Sequence, residues 1–185
     1  MTQAVRAGLV VALFTSGLSF GQSPTSTPPP AASAGAATTT KAVELKDLKG
    51  KVVGNVLLIE TPHGLLVRGS LSGLPQGIHA IHFHETGKCE PPFKSSGGHF
   101  NPTQKAHGML DPAGVHAGDL PNLDIPKNGK LDFEFFATGL TLAEGPNAVL
   151  DTDGTALVIH ANADDYKSQP AGNAGDRIAC GVITR

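Results

Sequence analysis

Two histidines separated by a single residue have a spacing that could bind a metal ion. His82 and His84 lie within residues 77–84, a stretch that predicts a β-strand. Successive side chains of a strand point to opposite faces, so both imidazoles share one face, and Ile81 and Phe83 share the other. Imidazole nitrogen is a ligand for zinc, copper, iron and nickel. The pair therefore predicts part of a metal site on one face of this strand, with the core on the other.

Five further candidate ligands follow in chain order: His99, His107, His116, Asp119 and His160. Three imidazoles with one carboxylate suit a tetrahedral zinc site. An all-imidazole set that includes His82, His84 and His160 suits copper. Two four-coordinate sites need eight ligands, and the sequence offers one fewer. Both sites can form only if one histidine faces a different metal with each of its ring nitrogens.

Short strands are predicted to hold these side chains in place. Apolar or alternating runs predict about eight strands, at residues 42–48, 51–60, 65–71, 77–84, 131–137, 148–150, 155–161 and 177–184. Residues 151–154 predict a hairpin turn between the sixth and seventh of these. Residues 85–130 and 164–176 show no regular pattern, and long loops of this kind are usually functional. The candidate ligands lie in or beside these two loops.

The composition excludes several classes of protein. The chain has 185 residues, of which 39% are hydrophobic, and a net charge of −2. This balance argues against a disordered chain, and it lacks the basic surface that a nucleic-acid-binding protein needs. The 23 glycines and 14 prolines fit short strands joined by many turns.

The first 40 residues predict export. Arg6 precedes an apolar run at residues 9–14, and the small residues Ser19 and Gly21 precede a cleavage point before Gln22. We therefore predict a signal peptide at residues 1–21, a disordered Pro-, Ala-, Thr- and Ser-rich linker at 22–40, and a folded domain at 41–185. The expected location is the periplasm, the cell envelope or the extracellular space, with no stable membrane span after cleavage.

Cys89 and Cys180 are the only cysteines of the chain. An even number of cysteines in an exported protein predicts one disulfide. It would close a loop of about 90 residues, which the chain-entropy model values at roughly 4–5 kcal/mol.

Several segments, taken together and in their order, resemble the copper/zinc superoxide dismutase family in its secreted bacterial form. They are residues 77–85, 99–102, 107–108, 116–122, 158–161, 164–166, 169–170 and 172–182. The resemblance implies an all-β fold, an eight-stranded antiparallel Greek-key barrel or flattened sandwich with two long functional loops. It also implies conversion of superoxide to dioxygen and hydrogen peroxide by copper redox cycling, with a structural zinc.

The resemblance further implies the site residues. One copper ion per subunit would bind His82, His84, His99 and His160. One zinc ion per subunit would bind His99, His107, His116 and Asp119, so that His99 is the shared histidine. Asp164 would link one copper histidine to one zinc histidine. Arg177 would position superoxide, and His99 would carry a proton.

Two further histidines are not candidate metal ligands. His63 lies in a predicted turn and is expected to be solvated. His79 is expected to pack in the core and to hydrogen-bond the backbone, as the family resemblance implies.

A positive local field would attract an anionic substrate, and four lysines in the two loops could contribute to it: Lys88, Lys94, Lys105 and Lys167.

Three alternatives can be weighed against this interpretation. A copper-only dismutase would lack the zinc ligands and a full second loop, and a copper chaperone's dismutase-like domain would lack ligands and carry extra cysteine motifs. A non-catalytic exported copper/zinc-binding protein on the same fold would need no anion-positioning Arg177. The sequence also leaves a monomer and a homodimer open.

Overall fold

The structure is a computed structural model, and it describes residues 38–185. The predicted signal peptide and residues 22–37 of the predicted linker lie outside the described residues. The first strand begins at Thr40, within the last residues of that linker.

Antiparallel strands account for the regular structure of residues 38–185, apart from a single turn of 3-10 helix at Lys94–Ser96. They are β1 (Thr40–Asp47), β2 (Val52–Thr61), β3 (Gly64–Ser72), β4 (Gly77–His79), β5 (Ile81–His84), β6 (Leu123–Ile125), β7 (Lys130–Thr138), β8 (Thr155–His160) and β9 (Arg177–Ile183). Seven strands form one sheet in the order β5-β8-β9-β1-β2-β3-β7, and β4 pairs with β6. The neighbours β3 and β7, β5 and β8, and β1 and β9 are far apart in sequence, which is a Greek-key arrangement. The predicted all-β antiparallel fold is confirmed.

Alternating side chains divide the sheet into a core face and a solvent face. On β3, Leu65, Val67 and Leu71 are buried, while Arg68 and Ser70 between them are exposed. The same alternation places Ile81 and Phe83 of β5 in the hydrophobic core, as predicted. The histidines of β5 therefore face away from that core.

Two strand predictions and one turn prediction differ from the structure. Residues 77–84 form two strands, because Ala80 leaves the β4–β6 pair: its N–H donates to Asn162 and its carbonyl accepts from His160. Residues 148–150 form no strand; Ala148 makes only an isolated bridge with Thr141, so residues 151–154 do not join two strands.

Strand β6 lies inside the predicted first loop. With three residues, β6 is too short to show a clear alternation in sequence, although Leu123 and Ile125 are buried.

The free edge of β5 is continued by the first long loop. Phe83 N–H donates to Gly118 O at 2.9 Å, and Phe100 N–H donates to Phe83 O at 2.8 Å. These bonds bring loop residues on either side of them next to the histidines of β5. Among the residues that the structure describes, no helix is long and apolar enough to cross a membrane.

Candidate metal centre

Strands β5 and β8 supply three of the predicted ligands. His82 and His84 are on β5, and His160 ends the paired strand β8, where its N–H donates to Ala80 O at 2.9 Å. The register of β8 against β9 shifts between Ile159 and His160. All three histidines are buried. The sheet thus fixes three imidazoles on neighbouring backbone segments.

The first long loop brings two more ligands to β5. Isolated bridges pair His82 with Asp119 and His84 with His99. The loop can approach β5 this closely because residue 118 is a glycine: a Cβ at this position would lie 2.4 Å from Phe83 O. The loop therefore continues the ladder of β5 and places His99 and Asp119 beside the strand histidines.

The predicted ligands form two buried clusters. The ligand atoms within each cluster all lie within 4.8 Å of one another. The first cluster is His82, His84, His99 and His160, and the second is His99, His107, His116 and Asp119. Both sets have the composition that the sequence predicted.

His99 belongs to both clusters. Its Nδ1 lies 2.8 Å from Asp119 Oδ1 and 3.4 Å from His116 Nδ1, on the side of the second cluster. Its ring centroid is 4.0 Å from that of His82. Nε2, on the other side of the ring, is buried without a hydrogen-bond partner. One imidazole therefore separates the two clusters and offers a nitrogen to each.

Three buried ring nitrogens without hydrogen-bond partners fit the binding of metal ions. They are His82 Nδ1, His99 Nε2 and His107 Nδ1. Buried polar atoms almost always have a partner, so each such exception needs a reason. His107 Nδ1 lies 3.0 Å from Asp119 Oδ2 without forming a hydrogen bond. A ring nitrogen and a carboxylate oxygen that converge in this way can share a cation, either a proton or a metal ion.

The opposite nitrogens of four rings are held by fixed acceptors. His82 Nε2 donates to Asp164 Oδ2 at 2.9 Å, and His107 Nε2 donates to Asp164 Oδ1 at 3.0 Å. Outer acceptors of this kind fix the tautomer and leave the other nitrogen free for a metal. Asp164 thus links one histidine of each cluster, as the resemblance implied.

Backbone carbonyls hold the remaining two rings of the first cluster. His84 Nδ1 donates to Gly97 O at 3.0 Å, and His160 Nδ1 donates to Gly175 O at 3.3 Å. Their Nε2 atoms, 3.3 Å apart, point toward each other. Both loops therefore orient the strand histidines, the first through Gly97 and the second through Gly175.

Burial keeps three histidines of the first cluster neutral: His84, His99 and His160. It lowers the pKa of His99 to about 4, against the opposing effect of Asp119, and lowers the pKa of His160 to about 3. Burial and the neighbouring charges also hold the pKa of His84 well below its ordinary value. Neutral imidazole is the form that binds metal ions.

Two carboxylates, Asp119 and Asp164, make the second cluster favour positive charge. Burial lowers the pKa of His107, but Asp119 and Asp164 outweigh it and raise that pKa to about 9. Burial likewise opposes ionisation of Asp119, yet three surrounding histidines hold its pKa far below the usual range. This cluster therefore attracts a cation.

Arg177 lies beside the first cluster at the start of β9. Its Nη1 donates to Phe93 O at 2.7 Å and to Ser96 Oγ at 2.9 Å, and its Nη2 donates to Gly97 O at 2.6 Å. A guanidinium has five N–H groups, so these three bonds leave Nε–H and one Nη2–H. Arg177 lines a surface pocket of about 570 Å³ together with Lys94 and Asp176.

The predicted disulfide is present. Cys89 is bonded to Cys180, with 5.7 Å between the Cα atoms. The bond ties the segment that carries Gly97 to β9, the strand that begins with Arg177. It therefore fixes the arginine relative to the carbonyl oxygens that hold its side chain.

The remaining histidines follow their predictions. His79 is buried, with Nδ1 2.9 Å from His160 O and Nε2 3.1 Å from Pro75 O. Its ring contacts the backbone of His160 next to the site, and it belongs to neither cluster. His63 is exposed in the turn between β2 and β3.

Sequence reasoning assigned no role to several residues that hold the two loops together. Gln169 Oε1 accepts from His107 N at 2.8 Å, and its Nε2 donates to His107 O at 2.9 Å. Asn122 makes a matching pair with the backbone of Asp164, and Tyr166 Oη accepts from Asn122 N at 2.7 Å. These amide and phenol side chains have no metal-binding chemistry, so spacing alone does not reveal them.

Asp165 also has a role that the sequence did not indicate. Its Oδ1 accepts from the backbone N–H groups of Lys167 and Ser168, and its Oδ2 accepts from Asn173 Nδ2. The carboxylate shapes the second loop next to Asp164.

A family model for copper/zinc superoxide dismutase matches residues 52–183. The chain is 50% identical to Superoxide dismutase [Cu-Zn] 2 of Aquifex aeolicus, over 76% of this chain and 84% of the relative. It is 46% identical to Superoxide dismutase [Cu-Zn] of Caulobacter vibrioides, over 72% and 79%. The crystal structure of a SOD-like protein from Bacillus subtilis matches with a TM-score of 0.76 and 40% identity, over 80% and 99%.

Proposed function

We propose, because this chain belongs to the copper/zinc superoxide dismutase family, that it converts superoxide to dioxygen and hydrogen peroxide. The protein is an oxidoreductase whose cofactors are copper and zinc, and both buried clusters fit them. The observation that carries the proposal is the position of His99 between an all-imidazole cluster and a cluster with a carboxylate. These are the ligand sets that suit copper and zinc, respectively.

Each metal is assigned to one cluster. We assign one copper ion to His82, His84, His99 and His160, and one zinc ion to His99, His107, His116 and Asp119. Copper supplies one-electron transfer in both directions when bound, whereas zinc has no redox chemistry. The intact second cluster favours this arrangement over a copper-only dismutase or a chaperone domain.

His99 is the proposed proton carrier. Dismutation consumes two superoxide anions and two protons and yields one dioxygen and one hydrogen peroxide. Nδ1 stays on the side of Asp119, so Nε2 is the nitrogen that can take up a proton and give it to the product. Burial of the ring protects this proton from exchange with other acceptors.

Arg177 is the proposed anion-binding group. Three hydrogen bonds to the first loop hold its guanidinium beside His84. Nε–H and the remaining Nη2–H can then bind superoxide without a large loss of side-chain entropy. A guanidinium stays charged at all relevant pH values.

Purified protein loaded with both metals tests the assignment. We expect about one copper and one zinc per chain and rapid superoxide dismutation near the diffusional range. A non-catalytic copper/zinc-binding protein remains the second candidate, since a solved relative is called SOD-like. Full metal content without dismutation would favour that candidate.

Export remains part of the proposal. The signal-like residues 1–21 and the disulfide support it, because disulfides persist in oxidising compartments. Fractionation of producing cells, with sequencing of the mature N terminus, should give a periplasmic or extracellular protein that begins near Gln22. A cytosolic protein that retains Met1 or Thr2 would contradict export.

The sequence is compatible with both a monomer and a homodimer. Sedimentation velocity over a range of protein concentrations distinguishes one species of constant mass from a reversible dimer.

A further inference from the structure

A second surface pocket reaches the second cluster, to which zinc was assigned above. It has a volume of about 450 Å³, and both His116 and Asp119 line it. The rim includes Met109, Val115 and Phe136, which are exposed by 44%, 36% and 47%. Their exposure shows that the pocket opens on the protein surface.

This pocket is separate from the one that contains Arg177. The Arg177 pocket is lined by Leu48, Pro92, Lys94, Gly175, Asp176 and Arg177. None of these six residues lines the pocket at His116. The pocket at His116 is therefore distinct from the pocket at Arg177.

His116 lacks the outer hydrogen bond that holds four other histidines of the two clusters. His82 and His107 donate to Asp164, and His84 and His160 donate to carbonyl oxygens. No group in residues 38–185 accepts a hydrogen bond from His116 Nε2.

Its side chain is also more exposed than those of its neighbours in the same cluster. The His116 side chain is 10% exposed, whereas those of His99, His107 and Asp119 are 3%, 0% and 1% exposed. Metal-binding histidines that lack an outer acceptor bind their metal less tightly. Of the four zinc-cluster ligands, His116 is the one that can leave at the lowest cost.

We propose that zinc enters and leaves through the pocket at His116, and that His116 is the ligand that turns aside to let the ion pass. This inference rests on the zinc assignment made above. Asp119, at the base of the pocket, then provides the first anionic contact for an entering cation. Lys105 on the lining is the one opposing charge among these pocket residues. Exchange of zinc in this way leaves the copper cluster and the Arg177 pocket undisturbed.

The rate of zinc release tests the route. Protein loaded with both metals is mixed with excess 4-(2-pyridylazo)resorcinol, and the colour of the zinc complex gives the rate. Thr138→Trp places a large side chain at the exposed end of β7, on the lining of the pocket. It should slow release by about fivefold or more, equivalent to a barrier raised by about 1 kcal/mol. Phe136→Ala widens the rim and should speed release.

Two variants serve as controls. Ser72→Trp adds the same side chain at an exposed end of β3 away from the pocket, and Lys94→Trp narrows the Arg177 pocket. Neither should change zinc release. Melting temperatures of all four variants identify any that are destabilised, and Phe136→Ala tests the route even if Thr138→Trp folds poorly.

The outcomes separate this inference from the proposed function. Unchanged zinc release in both Thr138→Trp and Phe136→Ala, or slower release in Lys94→Trp, would overturn the route. Failure to bind zinc would overturn both the route and the zinc assignment. Absence of dismutation with both metals bound would count against the proposed function alone.

Discussion

Arg177 and His84 donate hydrogen bonds to the same acceptor, the carbonyl oxygen of Gly97, at 2.6 Å and 3.0 Å. One backbone oxygen thus sets the position of the guanidinium relative to a proposed copper ligand. The disulfide holds the segment of Gly97 to the strand of Arg177. The anion-binding group and the first cluster are therefore built as one rigid unit.

Removal of the guanidinium should lower activity without loss of metal. Arg177→Ala deletes the anion-binding group, and we expect kcat/KM to fall by about a hundredfold, the lower end of the loss expected when a single charge-stabilising donor is removed. Arg68→Ala is the matched control, because Arg68 is an exposed arginine that pairs with Glu134 on the outer face of the sheet. Equal activity in Arg177→Ala and the native protein at every ionic strength would remove Arg177 from the mechanism.

Lys94 should contribute to attraction of the substrate. It is the one lysine of the four loop candidates that lines the Arg177 pocket, whereas Lys105 lines the pocket at His116. Lys94→Glu should lower kcat/KM by about threefold at low salt, a small share of the usual range for electrostatic steering. The difference should vanish at high salt, where the Debye length is short.

Lys127→Glu provides the charge-matched control, because Lys127 is exposed and lies outside that pocket. An equal loss in both variants would show that net charge, and not the position of Lys94, determines the rate.

Gly172 should be needed for metal binding. Its φ is +63°, and a Cβ there would lie 1.8 Å from Asp164 Oδ1. Gly172→Ala should displace Asp164 and lower zinc affinity by about 10–100-fold, as expected when an outer acceptor is lost. Gly50→Ala is the control, since its φ is +78° and nothing lies within 4 Å of the added carbon.

Gly50→Ala should cost about 1–2 kcal/mol of stability from backbone strain alone, with metal binding intact. Competition with a chelator measures zinc affinity. Tight zinc binding in Gly172→Ala would show that Asp164 can orient His107 from another position.

Zinc binding should release a proton near neutral pH. The pKa of His107 is raised to about 9, so its metal-free ring is protonated below that pH. Zinc needs the Nδ1 lone pair, and about one proton must therefore leave on binding. Apparent zinc affinity should rise with pH and level off above about pH 9, where the ring is already neutral. Calorimetry in buffers of different ionisation enthalpy measures the proton count.

Asp164→Asn removes one of the two carboxylates that raise this pKa, so it should reduce the proton release. Binding heats at neutral pH that do not depend on the buffer would contradict the protonation of His107.

The sequence identified the members of the two clusters more completely than the bounds of the strands. Strand alternation alone places His82 and His84 on one face, and the count of seven candidate ligands requires one histidine to serve both four-coordinate sites. The break at Ala80 could not be predicted, because it depends on hydrogen bonds to Asn162 and His160, which are distant in sequence. Gln169 likewise acts through the backbone of a residue 62 positions away, and no local pattern marks such a contact.

Anomalous X-ray scattering at the copper and zinc absorption edges, measured on crystals of metal-loaded protein, tests the central claim most directly. The account predicts two peaks on opposite sides of the His99 ring. The copper peak should lie near His99 Nε2 and the other three residues of the first cluster, and the zinc peak near His99 Nδ1 and Asp119. A single metal peak, or two peaks with His99 bound to only one of them, would contradict it.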